Sequence, residues 1–373
     1  MSAKDLPTNM FEPDSAWKQS FRRKSLAWFR NHARDLPWRQ TSDPYATWVS
    51  EIMLQQTQVV TVVPYFQRFI KEFPTVQKLA SAKEQRVLRL WEGLGYYRRA
   101  RQMHKAAKAI VKDHAGLFPQ DLEAVRALPG IGRYTAGAIV SIAFDARAPI
   151  LEANTIRLLS RLSAYEEDPL QSEGRQFLWR LAEVLLPRKN VGSFNQALME
   201  LGSEVCTPRN PDCDRCPVQS LCLAKLQDLQ NDIPRPKQKT NYEDVHEAAV
   251  IVRRNGKLLL RQCANDERWA GMWDFPRFAI QARKPREVED ELAETIKRFS
   301  GLTIQLGKPW ATIKHGVTRF RITLTCYQSD QVSGRLRTNG HAMKWVTKEE
   351  LTDFPLSATG RKISQMLAGN SRQ

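Results

Sequence analysis

The chain has 373 residues, with 57 lysines and arginines against 40 aspartates and glutamates, and its formal net charge is +17. This length predicts two or three domains, and a 42% share of hydrophobic residues excludes a disordered chain. No stretch approaches the ~20 apolar residues of a membrane span, and residues 1–20 lack the apolar core of a secretory signal, so we expect a soluble cytoplasmic protein with no membrane partner. Residues 1–230 carry +8 and residues 231–373 carry +9. This spread favours a polyanionic partner such as nucleic acid, while a merely basic soluble protein stays open at this point.

Apolar residues recur every three or four positions through the first 230 residues, as in amphipathic helices. The clearest helical segments are residues 46–68, 87–90, 104–111, 136–144 and 155–162, and turns with proline or glycine separate them. We therefore predict a mostly α-helical domain over residues 15–230.

Residues 128–137 read LPGIGRYTAG and join a helix ending near Ala127 to one beginning near Arg133. Gly130 and Gly132 allow positive φ angles and leave backbone N–H groups unshielded. Donors at a helix N-terminus bind anions, so Gly130, Gly132 and Arg133 are candidate contacts to a DNA phosphate. An ordinary tight helical turn is the alternative.

Four cysteines follow at the spacing C-x6-C-x2-C-x5-C, namely Cys206, Cys213, Cys216 and Cys222. A disulfide framework is not expected in a chain without an export signal. Four thiolates this close in sequence suit either a tetrahedral zinc ion or a [4Fe–4S] cluster. Zinc sites usually pair two short C-x2-C elements, whereas this array has one, so the spacing favours the cluster.

The pattern changes after residue 230. Residues 231–244 are polar, contain two prolines and lack apolar periodicity, which predicts a linker. Residues 246–262 form two partly alternating apolar runs around Asn255 and Gly256, the dipeptide that favours a type I′ hairpin turn. Residues 319–327 and 343–346 are further strand candidates, and residues 287–299 predict a helix. We expect a smaller α+β domain over residues 245–368.

Several segments give the sequence a family resemblance. The helix–hairpin–helix pattern followed by a proline turn, a carboxylate and the cysteine array resembles the endonuclease III-like DNA glycosylases. Further segments resemble the adenine DNA glycosylases of the MutY type, namely LPWR at 36–39, SEIMLQQTQV at 50–59, WEGLGYY at 91–97 and FNQA at 194–197. The resemblance implies a helix–hairpin–helix glycosylase domain with a [4Fe–4S] loop at 206–222, followed by a Nudix-like domain that recognises 8-oxoguanine.

The resemblance implies that the enzyme removes adenine mispaired with 8-oxoguanine or guanine in base excision repair. The base must leave the stack and enter a pocket, where one carboxyl donates a proton to N7 and a second stabilises an oxocarbenium-like sugar. Glu51 matches the family's general acid, and its apolar neighbours are those of a buried acid with a raised pKa. Tyr134 stands where bifunctional relatives carry a Schiff-base lysine, which predicts a monofunctional enzyme without lyase activity.

The second carboxylate departs from the family pattern P-x-L-D-G-N. Residues 149–154 read PILEAN, so Glu152 replaces the expected aspartate and Ala153 the glycine, while Asn154 is retained. The longer side chain moves the carboxylate by about 1 Å unless the backbone retreats, and such a shift can cost about a hundredfold in rate. Three interpretations remain: a working Glu152, a slow or inactive variant, or a different substrate.

The family resemblance also implies recognition residues. Trp38, Arg39 and Gln196 match positions around the flipped adenine, whereas Gln56, Thr57 and Leu94 match positions at the opposite 8-oxoguanine. The family's Phe-Ser-His loop is missing, and its best counterpart is residues 317–319, where Thr318 is the candidate hydrogen-bond donor and Arg319 the candidate phosphate contact. Residues 288–295 lack the glutamate arrangement of a Nudix hydrolase, so nucleotide hydrolysis is not expected.

The leading interpretation is a monomeric, nucleoid-associated adenine glycosylase that acts on double-stranded DNA containing A:8-oxoguanine or A:G mispairs. Two alternatives stay open. One is a glycosylase for another mispair, such as T:G or U:G. The other is a non-catalytic iron–sulfur protein that binds DNA lesions, although pure binding does not require the buried acid predicted at Glu51.

Overall fold

The computed structural model describes residues 11–235, 241–282, 284–338 and 340–369. By their contacts these residues form two compact units. The first unit runs to Ser81 and resumes at Lys105, and the second holds Ala82–His104 together with the C-terminal part of the chain. The contacts thus assign Ala82–His104 to the second unit, whereas the sequence placed it within residues 15–230. Within the described residues, no helix combines the length and the apolar character that a membrane crossing requires.

The first part of the chain is helical, as predicted. Asp14, Asp43 and Asp121 cap three of the helices by accepting a hydrogen bond from a backbone N–H of the first turn. The helices are α1 (Ser15–His32), α2 (Pro44–Leu54), α3 (Val59–Glu72), α4 (Val76–Ser81), α5 (Glu84–Trp91), α6 (Arg98–Asp113), α7 (Leu122–Ala127), α8 (Arg133–Phe144), α9 (Ala153–Leu162), α10 (Ser172–Leu185), α11 (Val191–Glu204) and α12 (Leu223–Leu226).

The helix predicted over residues 46–68 is wrong in one respect, because the structure divides it into α2 and α3. The break lies at Gln56, whose φ of 56° is left-handed and cannot continue an α-helix. Gln58 then takes the extended conformation of an N-cap for α3. Gln56 and Thr57 therefore lie in a turn after the helix of Glu51, and not in the middle of a helix.

The predicted hairpin between α7 and α8 is present at its expected bounds. Gly130 has a φ of 79°, which a residue with a Cβ rarely adopts. Gly132 has an ordinary φ of −92° and is the N-cap of α8 without a side-chain bond. A Cβ added at Gly132 meets nothing within 4 Å. The expectation of two positive φ angles is wrong for Gly132, whose missing side chain leaves the N-terminus of α8 open.

The C-terminal part of the second unit is an α+β fold, as predicted. One sheet has the strand order β3-β2-β1-β7-β6, with β4 on β1 and β9 on β2, and β5 pairs with β8 in a small second sheet. The elements are β1 (Glu243–Arg254), β2 (Lys257–Gln262), β3 (Trp273–Asp274), β4 (Arg277–Ala279), α13 (Pro285–Ser300), β5 (Leu302–Gln305), β6 (Ala311–Val317), β7 (Phe320–Ser329), β8 (Gln331–Gly334), β9 (Met343–Val346) and α14 (Ala358–Gly369).

The alternating pattern around Asn255 and Gly256 is a hairpin, as predicted. β1 and β2 are antiparallel with Arg254 opposite Lys257, and φ is 51° at Asn255 and 73° at Gly256, as a type I′ turn requires. β1 also pairs in parallel with β7 along most of its length, which places β1 at the centre of the sheet. Its buried side chains alternate between two cores, with Ala249 on one face and Val250 on the other.

Part of the predicted linker is ordered. Ile233 is 2% exposed, and its carbonyl accepts a hydrogen bond of 2.7 Å from Arg161. Glu243 and Asp244 already belong to β1. Residues 236–240 of the predicted linker lie outside the described residues.

Candidate active site

A large cavity opens in the first unit between the helices and has a volume of about 1,040 Å³. Its walls come from segments far apart in sequence, including the turn after α2, the start of α8, the start of α9 and the middle of α11. The predicted site residues that line it are Trp38, Arg39, Glu51, Gln56, Thr57, Gly132, Arg133, Tyr134, Glu152, Asn154 and Gln196. The fold therefore assembles in one place the residues that the sequence proposed for catalysis and for base recognition, Leu94 and Thr318 excepted.

Glu51 is a buried carboxyl on α2, with 5% of its surface exposed. Its pKa is raised to about 7, mainly by burial and also by the negative charge of Glu152, while the hydrogen bond from Tyr134 and the charge of Arg39 oppose the rise. Because charged and neutral forms then coexist near neutral pH, Glu51 can hold a proton and release it in a reaction. This is the property required of a general acid.

Tyr134 orients the Glu51 carboxyl. Its hydroxyl donates a hydrogen bond of 2.6 Å to Glu51 Oε2, and it lies 3.4 Å from the sulfur of Met199. Tyr134 is in the first turn of α8, directly after the hairpin, so the backbone that presents the N-terminus of α8 also fixes this hydroxyl. Because Oε2 accepts this bond, Oε1 is the oxygen left to hold a proton when Glu51 is neutral.

Glu152 is the N-cap of α9. One carboxylate oxygen accepts from the Asn154 backbone N–H at 2.8 Å and the other from the Thr155 N–H at 2.9 Å, while Thr155 Oγ1 accepts from the Glu152 N–H at 2.7 Å. This reciprocal arrangement is a capping box. The longer glutamate side chain thus folds back onto the helix terminus, where the helix dipole favours negative charge. Burial raises the pKa of Glu152, and the two backbone bonds oppose that rise.

Asn154 is connected to the cysteine array through Arg157. Arg157 Nη2 donates to Asn154 Oδ1 at 2.9 Å, and Arg157 Nε donates to the carbonyl oxygen of Cys206 at 2.7 Å. A Cβ on Gly202 would lie 2.6 Å from the Cβ of Asn154, so only glycine allows α11 to approach this closely. Sequence reasoning missed both Arg157 and Gly202, because neither belongs to a recognisable motif.

A second charged group in the cavity was also missed. Glu200, on α11, is 1% exposed and accepts bonds of 2.8 Å from Arg34 Nε, Arg34 Nη2 and Arg39 Nη2. Burial raises its pKa, but the bonds from the two arginines outweigh that rise and lower the pKa to about 2, so Glu200 is anionic at physiological pH. Glu200 therefore holds two guanidinium groups side by side in the wall of the cavity and compensates their charge. Glu200 lies at helical spacing from Gln196, which is the only sequence signal that connects them.

The remaining predicted residues of the cavity form its rim and floor. Trp38 is 7% exposed and contacts Phe66 edge-to-face at 5.4 Å. Thr57 Oγ1 donates to the carbonyl oxygen of Gln55 at 3.3 Å, which stabilises the turn that carries Gln56. Val60 also lines the cavity and is 76% exposed, so its apolar side chain is accessible to a bound ligand.

The hairpin lies at the edge of the same cavity. The Arg133 guanidinium stacks 3.9 Å over the ring of Trp179 on α10. Gly132 and Arg133 are both exposed, so the N-cap of α8 and the charge of Arg133 face the same solvent. A helix N-terminus beside a cation is suited to an anion, as the sequence predicts for this hairpin.

Leu94 and Thr318, the other two predicted recognition residues, are in the second unit. Leu94 is 6% exposed, whereas Tyr96 two residues later is 52% exposed. Thr318 is exposed, has a φ of 53°, and its hydroxyl donates to the carbonyl oxygen of Val317 at 2.7 Å. Residues 95–97 and Thr318 line one cavity of about 570 Å³. Tyr96 was missed because the sequence does not show which residue of the loop is exposed.

The four cysteines of the array surround a small cavity next to α9, and none of them forms a disulfide. Arg161 Nη1 lies 3.3 Å from the sulfur of Cys206, and Lys225 lines the same cavity. In the described part of the chain, no three cysteine, histidine or acidic side chains lie as a set able to hold a metal ion. The nearby cations Arg161 and Lys225 suit the negative charge that four thiolates give to an iron–sulfur cluster.

Three protein-family models match the chain. The HhH-GPD superfamily base excision DNA repair protein matches residues 49–183, and the NUDIX domain matches residues 247–366. The iron–sulfur binding domain of endonuclease III matches residues 206–222, which begin at Cys206 and end at Cys222. The cysteine array is therefore an iron–sulfur site, and the predicted fold class is confirmed for both parts of the chain.

Curated relatives extend over nearly the whole chain. The adenine DNA glycosylase of Rattus norvegicus is 33% identical over 420 aligned residues, which cover 98% of this chain and 81% of the relative. This chain belongs to the adenine DNA glycosylase family. The human enzyme of that name is 39% identical over 79% of this chain and 55% of its own length, and the enzyme of Buchnera aphidicola (Schizaphis graminum) is 38% identical over 68% and 73%. The family resemblance that the sequence motifs predicted is confirmed, and the chain is a DNA glycosylase of base excision repair.

Solved structures agree with the helical part of the fold. A thermostable thymine-DNA glycosylase is 28% identical, with a TM-score of 0.52, and the match covers 57% of this chain and 98% of that one. An endonuclease III trapped as a covalent intermediate with DNA has a TM-score of 0.50 at 19% identity, covering 58% of this chain and all of that one. The second likeness concerns the fold alone.

Proposed function

We propose that this glycosylase excises adenine mispaired with 8-oxoguanine or guanine, and that Glu51 is its general acid. One observation carries the proposal: a buried carboxyl with a pKa of about 7 lies in a cavity of about 1,040 Å³, where Glu152 also lies. A cavity of this size accepts a purine once the nucleotide has left the duplex, at an unstacking cost of a few kcal/mol. The curated relatives of the same family support adenine as the base.

In the proposed reaction Glu51 Oε1 donates its proton to N7 of the flipped adenine. The C1′–N9 bond then breaks with its electron pair on the base, and the sugar acquires oxocarbenium character. The Glu152 carboxylate, fixed by two backbone N–H groups, stabilises this positive charge. Water adds to C1′ and returns a proton to Glu51, which restores the acid.

We infer that the enzyme is monofunctional. The position after the hairpin glycines holds Tyr134, whose hydroxyl is bonded to Glu51 and which has no amine to form a Schiff base. Asn154 lies beside Glu152 and is the candidate for holding the water or the sugar. No strand cleavage is expected unless alkali is added.

We assign base recognition to the residues of the large cavity and lesion recognition to residues outside it. Trp38, Arg39 and Gln196 are proposed to contact adenine, and Gln56, Thr57, Leu94 and Thr318 the opposite base. Exposed Tyr96 is a further candidate, since an aromatic ring on a loop can stack on a base. Gly130, Gly132 and Arg133 are proposed to bind phosphate.

We further propose that the protein is a monomer in which the first compact unit acts as the glycosylase, and the second unit, which holds Ala82–His104 and residues 245–368, recognises the lesion. The cysteines Cys206, Cys213, Cys216 and Cys222 would hold a [4Fe–4S] cluster, which supplies a rigid, charged element beside α9 when it is bound. Absorbance near ~400 nm together with an iron and zinc assay tests this cofactor.

The test of the function is base release from four duplexes containing A:8-oxoguanine, A:G, T:G and U:G, each read with and without alkali. We expect release of adenine from the first two, with strand breaks only after alkali. Release from T:G or U:G instead would favour the alternative glycosylase. Breaks without alkali would contradict the monofunctional assignment, and no release from any duplex would leave a DNA-binding protein without this activity.

A further inference from the structure

A short loop of the second unit, residues 92–97, turns through three positive φ angles, one of which is unfavourable. Gly93 and Gly95 have φ angles of 100° and 72°, and Tyr96 has a φ of 46°. The left-handed region is disfavoured for Tyr96 because its Cβ approaches the following carbonyl oxygen. Such a conformation persists only where the surrounding structure holds it.

The residue that begins the loop is a buried anion held from the C-terminal part of the same unit. The Glu92 side chain is 7% exposed, and Arg361 donates to its two oxygens through Nε at 2.5 Å and Nη2 at 3.1 Å. The backbone N–H of Leu356 adds a bond of 3.1 Å. Arg361 also donates to the carbonyl oxygens of Leu351 and Phe354, so its guanidinium cannot rotate away.

The neighbouring side chains complete the support. Arg89 donates to Glu92 at 3.3 Å and to the carbonyl oxygen of Thr352 at 2.7 Å. From the helices that flank the loop, Trp91 Nε1 donates to the carbonyl oxygen of Gly95 at 3.2 Å, and Arg99 donates to the same oxygen at 3.3 Å. The loop is thus held at its first residue by Arg361 of α14 and at Gly95 by side chains of the two flanking helices.

The supported loop faces the β6–β7 hairpin. Gly93, Gly95 and Tyr96 line the cavity of about 570 Å³ that Thr318 and Phe320 also line. The ring of Tyr96 is half exposed, and Thr318 lies at the tip of the hairpin. Moving Glu92 would therefore move one wall of this cavity relative to the other.

We propose that Glu92 and Arg361 are positioning residues that set the 92–97 loop opposite Thr318, so that loop and hairpin contact the lesion-bearing strand together. The pair determines specificity for the opposite base and takes no part in breaking the glycosidic bond. This inference rests on the proposed function, because it assumes that the base opposite adenine is read in the second unit.

The test uses the full-length, cluster-loaded protein with R361Q, E92Q and the double variant. Excision is measured in single turnover on A:8-oxoguanine and A:G duplexes. We expect each single variant to lose about tenfold or more of the preference for 8-oxoguanine, since displacements near 1 Å have effects of this size or greater, while the A:G rate stays within about twofold. The double variant should be no worse than the worse single variant, because both members of one interaction are already lost.

D330N is the matched control, since it breaks the exposed pair of Arg253 and Asp330 in the same unit and should change neither rate. Circular dichroism and absorbance near ~400 nm verify folding. An unchanged preference, or an equal loss on both duplexes, would overturn the inference.

A second readout does not require cleavage. Affinity is compared for duplexes that carry a non-cleavable 2′-fluoro-adenosine opposite 8-oxoguanine or guanine. R361Q should lower the ratio of the affinity for the 8-oxoguanine duplex to the affinity for the guanine duplex. If the wild-type protein cleaves neither duplex while R361Q still lowers this ratio, the proposed function fails and the positioning inference stands. An unchanged ratio of affinities contradicts the inference whatever the enzyme cleaves.

Discussion

Replacing Glu152 with glutamine separates its charge from its shape. In the structure each carboxylate oxygen accepts one backbone N–H, from Asn154 and from Thr155. The amide of glutamine keeps one acceptor oxygen and presents an NH₂ group to the other donor. E152Q therefore loses the negative charge and one of the two capping bonds, whereas E152D keeps the charge and remains a good N-cap.

E152Q is expected to slow the reaction and to lower the stability of the helical unit. A carboxylate about 4 Å from a unit positive charge stabilises it by about 4 kcal/mol at an effective dielectric constant of about 20. Losing this from the oxocarbenium-like transition state slows excision by about a thousandfold. The lost capping bond costs about 1 kcal/mol, which lowers the unfolding midpoint of the helical unit by about 2–4 °C.

The assay is single-turnover adenine release with excess enzyme, accompanied by thermal unfolding followed at 222 nm. We expect E152Q to be about a thousandfold slower at saturating enzyme and E152D to stay within about tenfold of wild type. E123Q, at an exposed position in α7, is the control for removing a carboxylate and should change neither quantity. Full activity in E152Q would refute the assignment of Glu152 as the charge that stabilises the sugar.

Three further substitutions probe the groups around the acid. Y134F removes a hydrogen bond that lowers the pKa of Glu51, so the alkaline limb of the pH–rate profile should move to higher pH by about one unit. An unchanged profile would show that Tyr134 does not set the pKa of Glu51. E200Q leaves the charge of Arg39 uncompensated, so the same limb should move to lower pH; an upward shift would contradict this reasoning. R157Q breaks the bonds to Asn154 and Cys206, and we expect at least a tenfold slower reaction with cluster absorbance retained; wild-type rates in R157Q would exclude a role for this contact.

Much of the fold followed from local pattern. The hairpin at Asn255 and Gly256, the cysteine array and the helix pair around Gly130 have signals contained within a few residues, so they could be predicted. The break at Gln56 could not, because glutamine has no special preference for positive φ and the apolar period continues across it. The end of α2 at Leu54 is therefore visible in the structure and not in the apolar pattern of the sequence.

The candidate site was predictable to the extent that its residues belong to motifs. Glu51 and Tyr134 were found this way, and the structure brings them to 2.6 Å. Glu200 bonds to Arg34 and Arg39, and Arg157 bonds to Cys206, so each joins residues that are far apart in sequence. A periodic pattern in the sequence cannot predict such long-range contacts. Ala82–His104 resembles the helical domain in sequence yet makes its contacts with the C-terminal part of the chain, through side chains such as Glu92.

In the proposed reaction a neutral Glu51 donates the proton that releases adenine. Its pKa of about 7 makes the direct test a pH–rate profile of the wild-type enzyme in single turnover, from pH 5 to 9 on the A:8-oxoguanine duplex. We predict a rate that is level below pH 6 and falls about tenfold per pH unit above pH 8, with the midpoint near 7. A rate that does not change over this range, or one that rises with pH, would contradict the role of Glu51 as the proton donor.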